Sequence, residues 1–167
     1  MIPARQVIGV SLAIACCTDL AMAQFDTAGD SLPVTRLRNS TTAFTTYSGL
    51  NDSVRAVVRD STAWNELWRT INRPFYPPPP LPRVDFEHDM VVIAALGARP
   101  TAGYDIVIEG ALQDSAAVEI ALRTLSPAPG CPVSAAMTQP VDLATIPASP
   151  RAVRFREKSV IVPCGAP

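Results

Sequence analysis

Residues 85–89 hold the densest group of potential metal ligands in the chain. Asp85, Glu87, His88 and Asp89 supply three carboxylates and the only imidazole. A protein metal site needs three or four such groups that converge on one point. These four residues are packed too closely in sequence to surround one ion, so we interpret them as a solvated turn and assign no metal site.

The other chemically capable residues do not form a catalytic pattern. Asp105, Glu109 and Glu119 lie in strand-like segments whose alternation sends them to solvent, so we interpret them as surface charge. His88 lies far upstream of Cys131 and nothing else suggests a nucleophile–base pair. A nucleophile elbow, a phosphate-binding loop and a dinucleotide fingerprint are absent from the sequence. We therefore predict a protein that is not an enzyme, with no catalytic residue and no cofactor.

The N-terminal segment 1–23 has the features of a signal peptide. Arg5 gives a positive start, Val7–Ala15 is a short apolar run, and Ala21-Met22-Ala23 resembles a cleavage site. The apolar run is too short to span a membrane. We expect the mature chain to begin at Gln24 and to work outside the cytoplasm, in the periplasm, the cell envelope or the medium. A lipid anchor at Cys16 is the alternative, because small residues precede it.

Two cysteines, Cys131 and Cys164, follow the predicted signal peptide. In an oxidising compartment such a pair is most simply a disulfide. Closing a loop of this length contributes about 3–4 kcal/mol in the chain-entropy model. We predict that the two residues are bonded.

Composition limits the partners of the chain. The net charge is −1 and no basic run is present, so we expect neither nucleic acid nor an anionic membrane surface as a partner. Seventeen prolines among many Val, Ile and Thr residues indicate strands separated by rigid loops. The polar segment 24–42 is expected to be a flexible leader, and residues 43–167 one domain.

One helix and a proline-rich segment precede most of the strands. A helix of about 12 residues is predicted after Asp60 or Ser61, with Trp64, Leu67, Trp68 and Ile71 on one buried stripe. Pro74–Pro82 must be extended, with polyproline II geometry over Pro77–Pro80. We interpret it as a stiff spacer, with a ligand for an SH3- or WW-like groove as the alternative.

The remaining segments alternate as strands do. Together they predict a mainly β (α+β) fold, with about seven mostly antiparallel strands in a sandwich-like or curved sheet and one amphipathic helix. Met90–Leu96 is apolar throughout and should be covered on both faces. The other strand segments are Ala43–Ser48, Val54–Arg59, Tyr104–Ile108, Val118–Leu122, Pro140–Ile146, Val153–Arg156 and Val160–Val162.

A tight loop joins Met90–Leu96 to the strand that begins near Tyr104. Gly97 and Gly103 can adopt positive φ and Pro100 fixes its own φ, so the loop should be stiff. Tyr104 follows as a large amphipathic ring. Such a loop suits contact with another protein because little entropy is lost on binding. The alternative is a well-made turn with Tyr104 packed inward.

The order of these motifs resembles the C-terminal domain of PrcB, a protease-complex subunit. The resemblance includes Val84-Asp85-Phe86, Met90-Val91-Val92, Leu96-Gly97 and Arg99-Pro100-Thr101-Ala102-Gly103-Tyr104. It extends to Trp64–Trp68 upstream and to Thr138-Gln139-Pro140 downstream. Family members more often have glycine where this chain has Ala102.

The loop is similar, over about eight residues, to the protease-wedging loop of chagasin-type cysteine-protease inhibitors. That family reads N-P-T-T-G-Y-x-W, and this chain has Arg99, Ala102 and Ile106 at the differing positions. The resemblances imply a non-catalytic protein that binds, stabilises or inhibits an extracytoplasmic protease through residues 99–104. The alternative is a structural or adhesive envelope module that uses the proline-rich segment.

Overall fold

The computed structural model of the protein describes residues 29–37 and 46–165. The predicted signal peptide and Cys16 lie outside the described residues, as do most of the predicted leader and half of the strand expected over 43–48. Tyr47 and Ser48, in the described half, are not in a strand.

One helix and eight strands make up the described chain. The helix α1 covers Ser61–Ile71. The strands are β1 (Asp30–Leu32), β2 (Thr35–Arg36), β3 (Val54–Val58), β4 (Asp89–Ala95), β5 (Asp105–Gln113), β6 (Ala117–Pro127), β7 (Val141–Pro147) and β8 (Ala152–Val162). No helix among these residues is long and apolar enough to cross a membrane.

The strands form two four-stranded sheets. Sheet A has the order β1-β5-β6-β8 and sheet B the order β2-β7-β4-β3. Every pairing is antiparallel except that of β6 with β8, which is parallel. The predicted fold class, mainly β with one helix, is confirmed.

Strand β4 lies between two hydrophobic cores. Met90, Val92 and Ala94 face sheet A, where they pack with residues such as Ile108 and Ile120. The alternate residues of β4 face α1 and its tryptophans. All of β4 from Met90 to Ala95 is buried, because sheet B is the middle of three layers. The prediction of a strand covered on both faces is confirmed.

Helix α1 and the proline-rich segment form the third layer. Asp60 caps the helix, and its side chain accepts a hydrogen bond of 2.8 Å from the Ala63 N–H. The stripe residues Trp64, Trp68 and Ile71 are buried against sheet B, as their spacing predicts. The proline-rich segment 74–82 follows as a strap over the helix. It is not extended throughout as expected, because Pro74 lies in a turn and the chain bends at Tyr76 and Pro77, whose peptide bond is cis.

Two parts of the prediction need correction. Residues 29–37, expected to belong to a flexible leader, contain β1 and β2, which pair with β5 and β7. These backbone pairings hold residues 29–37 in place. Leu32, Val34 and Leu37 add contacts with the two cores. The last two predicted segments, 153–156 and 160–162, are one continuous strand, β8, whose polar middle is exposed at a sheet edge.

Candidate protein-binding surface

The loop between β4 and β5 depends on two glycines. Gly97 has φ of 76°, and a Cβ there would lie 2.6 Å from the Asn51 carbonyl oxygen. Gly103 has φ of 90°, and a Cβ would lie 3.3 Å from atoms of Pro127 and Val133. The first position therefore requires glycine for both conformation and space.

Backbone hydrogen bonds fix the loop to its neighbours. The Arg99 and Thr138 backbones exchange two bonds, of 2.7 and 3.0 Å. The Ala98 N–H donates to the Asn51 carbonyl at 2.9 Å, and the Ala102 N–H donates to the Ser134 carbonyl at 3.0 Å. Loops 49–53, 97–104 and 133–139 thus meet at one end of the two sheets.

Thr138 is the central support of this arrangement. It is buried, and its hydroxyl donates to the Thr101 carbonyl at 2.9 Å while its backbone pairs with Arg99. In the sequence, Thr138 stands out only as part of a family-like motif, which does not indicate this role. Its partners are nearly 40 positions away in sequence, so no local pattern could have shown it.

Arg99 and Tyr104 form a pair at the loop. The Arg99 guanidinium carbon lies 5.9 Å from the centre of the Tyr104 ring, within the range of a cation–π contact. The ring is half-buried and packs on the core between the sheets. The alternative in which Tyr104 packs inward therefore holds in part, and contact of this loop with a partner stays a prediction.

The six residues predicted as the partner-binding site occupy this loop and are brought together. Pro100 and Gly103 are exposed, whereas Arg99, Thr101, Ala102 and Tyr104 are half-buried. The neighbouring loop adds Val133, and also Met137, whose side chain is 64 % exposed. We call the solvent-accessible side of this end, Arg99, Pro100, Thr101, Gly103, Val133 and Met137, the loop face.

The turn at residues 85–89 differs from its predicted geometry. Ligand atoms of Asp85, Glu87 and His88 lie within 4.8 Å of one another, so these three groups do converge despite their short spacing. All three are exposed. The Asp85 carboxylate lies 2.9 Å from His88 Nδ1 and accepts from the Glu87 N–H at 3.1 Å. The hydrogen bond with His88 is the main cause of a lowered Asp85 pKa. These bonds are typical of a solvated turn.

The strand carboxylates predicted as surface charge include one exception. Glu109 and Glu119 pair with Arg123 and Arg156 on the outer face of sheet A, as expected. Asp105 is half-buried at the start of β5, and this burial raises its pKa above the ordinary value. Asp105 is the first residue of β5 and lies near Arg36 and Asp142 of sheet B. It is therefore half-buried, although strand alternation predicted an exposed side chain.

The predicted disulfide is present. Cys131 and Cys164 are bonded, with Cα atoms 5.1 Å apart, within the usual range for a disulfide. The bond joins the loop after β6 to the end of β8. It therefore closes a covalent ring of residues 131–164, next to the loop that carries Val133.

Comparison with known families gives a match that covers this site. Residues 90–147 match the PrcB C-terminal family. The matched segment runs from β4 to β7 and includes the loop 97–104 and Thr138. The resemblance predicted from the motifs is confirmed for this segment. No curated protein and no solved structure matches the chain.

The name of the matched family suggests a non-catalytic subunit that is associated with a protease complex.

Proposed function

We propose that this protein is an extracytoplasmic, non-catalytic subunit that binds a protease through the loop face. The observation that carries the proposal is the bracing of loop 97–104 by Thr138 and by the Asn51 and Ser134 carbonyls, inside the segment that matches the PrcB C-terminal family. A loop that is already ordered loses little conformational entropy on docking.

The side chains of the loop face suit contact with a protein. Arginine and tyrosine are common among the residues that dominate interface energies. Arg99 lies over Tyr104, and the exposed Val133 and Met137 add apolar area beside them. Methionine adapts its shape to a partner surface. We propose that docking at this face stabilises or restrains the protease.

The extracytoplasmic location rests on the disulfide and on the signal-like segment 1–23. Disulfides form and persist mainly in oxidising compartments. Cell fractionation tests the location directly. Recovery of the protein in the cytoplasm with free Cys131 and Cys164 thiols would contradict this part of the proposal.

The test of the binding proposal is capture from the periplasmic fraction with the full chain, followed by measurement with the purified protease. The double variant Arg99→Ala/Thr101→Ala should melt normally and weaken binding by about 1–3 kcal/mol, at the modest end of hot-spot losses. Loss of the Thr101 side chain keeps the carbonyl that Thr138 holds.

A matched control is Thr62→Ala/Arg73→Ala, which removes the same residue types from exposed positions on the helix layer. It should bind as the unaltered protein does. Unchanged affinity of the Arg99/Thr101 variant for the protease would exclude the loop face as the docking site.

A structural or adhesive envelope module remains the second candidate, because of Tyr76. Its side chain is 99 % exposed on the proline-rich strap. Tyrosine is enriched among the residues that dominate interface energies, so this ring offers a partner an anchor. Tyr76→Ala should then abolish envelope attachment and leave protease binding intact.

A further inference from the structure

The outer edge of sheet A is formed by the long strand β8. This strand has eleven residues, Ala152–Val162, and pairs only with β6. The opposite edge of the same sheet, β1, has three residues. A long edge strand exposes a row of backbone donors and acceptors, which natural proteins usually cover or use.

The register shows which groups point outward. The Val162 carbonyl accepts from the Ala128 N–H on the β6 side, and the parallel register from 152 to 162 has no break. In a parallel ladder the N–H and C=O of one residue point to the same side, and successive residues alternate. Even-numbered residues of β8 therefore bond to β6. The outward residues are Val153, Phe155, Glu157, Ser159 and Ile161.

The backbone groups of these five residues make no hydrogen bond with any residue in 29–37 or 46–165. Each offers one donor and one acceptor along the edge. Their side chains are engaged on the inner side of the strand, where Val153 and Phe155 pack on the core and Glu157 pairs with Arg55 at 2.5 Å. The strand is therefore held in position, while its outward backbone groups are available to a partner strand.

The charge of β8 favours one class of occupant. Arg154, Arg156 and Lys158 alternate along its solvent side. Within residues 29–37 and 46–165, Arg156 forms an ion pair with Glu119, whereas Arg154 acts on Asp114 electrostatically without an ion pair. If a second copy paired antiparallel through the middle of β8, Arg156 would lie opposite Arg156 or Lys158 of that copy. Like charges directly across a strand pair are unfavourable. By contrast, the three cationic side chains of β8 would attract carboxylates on an added strand.

We propose that the β8 edge binds an extended segment of a partner protein that carries acidic residues at alternate positions, as a fifth strand of sheet A. The outward amides and carbonyls bind the backbone of the segment, and Arg154 and Lys158 bind its carboxylates. This mode is β-strand addition, in which main-chain bonds give affinity and alternate side chains give selectivity. The site is separate from the loop face and does not depend on its role.

The experiment uses the full chain and a fluorescein-labelled, end-capped (Thr-Glu)4 peptide, with (Thr-Lys)4 as the charge control. Fluorescence anisotropy should detect the glutamate peptide and not the lysine peptide, and added salt should weaken the complex. Hydrogen exchange followed by NMR should show new protection at the outward amides of residues 153–161. The inward amides should change little because β6 already holds them.

Two variants separate the backbone and charge contributions. Ser159→Pro removes an outward N–H, which a sheet edge tolerates, and should weaken peptide binding about tenfold, as loss of one good hydrogen bond would. Ser159→Ala is its control, because it removes the hydroxyl that accepts from Thr124 but keeps the N–H. Arg154→Glu/Lys158→Glu leaves the ladder intact and should reverse the preference between the two peptides.

Three outcomes would overturn the proposal. The first is equal binding of the two peptides, and the second is an unchanged preference in the charge-reversal variant. The third is strong protection of the outward amides in the free protein, which would mean that this chain or a second copy already covers the edge. If Ser159→Pro fails to fold, the peptide preference of Arg154→Glu/Lys158→Glu alone tests the proposal.

Discussion

At Gly97 the backbone conformation and the available space impose separate requirements. Gly97 and Gly130 both have positive φ, of 76° and 81°. A Cβ at Gly97 would lie within 3 Å of the backbone of Asn51, Asp52 and Ser53, whereas nothing lies within 4 Å of a Cβ at Gly130. The two sites share the conformational cost of a side chain and differ in the steric cost.

Gly97→Ala should therefore destabilise the protein more than Gly130→Ala. The left-handed conformation alone costs about 1–2 kcal/mol for an L-residue, which is the expected loss for Gly130→Ala. Gly97→Ala should cost about 2 kcal/mol more, as overpacking against backbone does. Urea denaturation measures both free energies of unfolding. Equal losses would show that loop 49–53 moves away freely and does not brace the loop face.

Asp105 gives a pH dependence whose sign follows from its burial. Desolvation raises its pKa above 3.8, although the Ile106 N–H, which donates to its carboxylate, acts in the opposite direction. The folded state therefore binds this proton more tightly than the unfolded state does. The penalty is absent below the ordinary pKa and complete above the raised one.

Asp105→Asn should raise the free energy of unfolding at pH 7, because the amide keeps an acceptor for Ile106 and carries no charge. The gain should shrink as the pH falls and disappear below about pH 3.8, the ordinary pKa of the carboxyl. Urea denaturation across this pH range measures it. Glu109→Gln, at an exposed carboxylate paired with Arg123, should show no such gain. A gain for Asp105→Asn that persists at low pH would contradict the assignment to its charge.

At the scale of elements, helix α1 holds the proline-rich strap by its tryptophans. Trp64 Nε1 donates to the Pro82 carbonyl at 3.0 Å and Trp68 Nε1 donates to the Pro79 carbonyl at 3.1 Å. The Pro79 and Pro82 carbonyls therefore both face the helix. Residues 64 and 68 lie on one face of α1. The two hydrogen bonds hold the strap along that face.

Trp64→Ala should cost about 3–5 kcal/mol, as large aromatic-to-alanine changes in a core do. It should also release the strap, which limited proteolysis within 77–82 would detect. Glu66→Ala, at an exposed position of the same helix, is the control and should change stability little. A near-normal melting temperature for Trp64→Ala would mean that the stripe does not support the fold.

Local sequence patterns specified most elements but not their long-range pairing. The spacing of the α1 stripe, the apolar run of β4 and the alternation in β5 and β6 each depend on neighbours within one segment, and these predictions agree with the structure. The parallel pairing of β6 with β8 depends on β7 crossing to the other sheet, which no local pattern records. The short β1 and β2 have too few residues to show a period.

The candidate site likewise has a part that local sequence predicts and a part that depends on long-range pairing. The glycines and proline of loop 97–104 predicted a stiff turn, and the structure shows how it is held. The buried Thr138 and the outward edge of β8 could not be predicted, because both depend on which distant strand lies beside them. Function at such positions follows from the assembled fold.

At the scale of the whole molecule, the disulfide joins the two surfaces that we propose bind partners. Cys164 follows the end of β8, and Cys131 lies in the loop between β6 and Val133. Gly103 lies directly against Pro127 and Val133. The end of β8 is therefore connected to the loop face through one covalent link and a short packed segment.

Cys131→Ser/Cys164→Ser should lower the free energy of unfolding by about 2–4 kcal/mol, as loss of a native disulfide usually does. Hydrogen exchange should quicken at the Ala102 amide, which donates to the Ser134 carbonyl, more than at the Ala63 amide, which donates to the side chain of the N-cap residue Asp60. The difference is expected because the link constrains the loops at one end, while α1 packs on the far side of sheet B. Uniform acceleration at both amides would mean that the disulfide stabilises the molecule only globally. Binding at the loop face should weaken in the same variant, since its order would then have to form on docking.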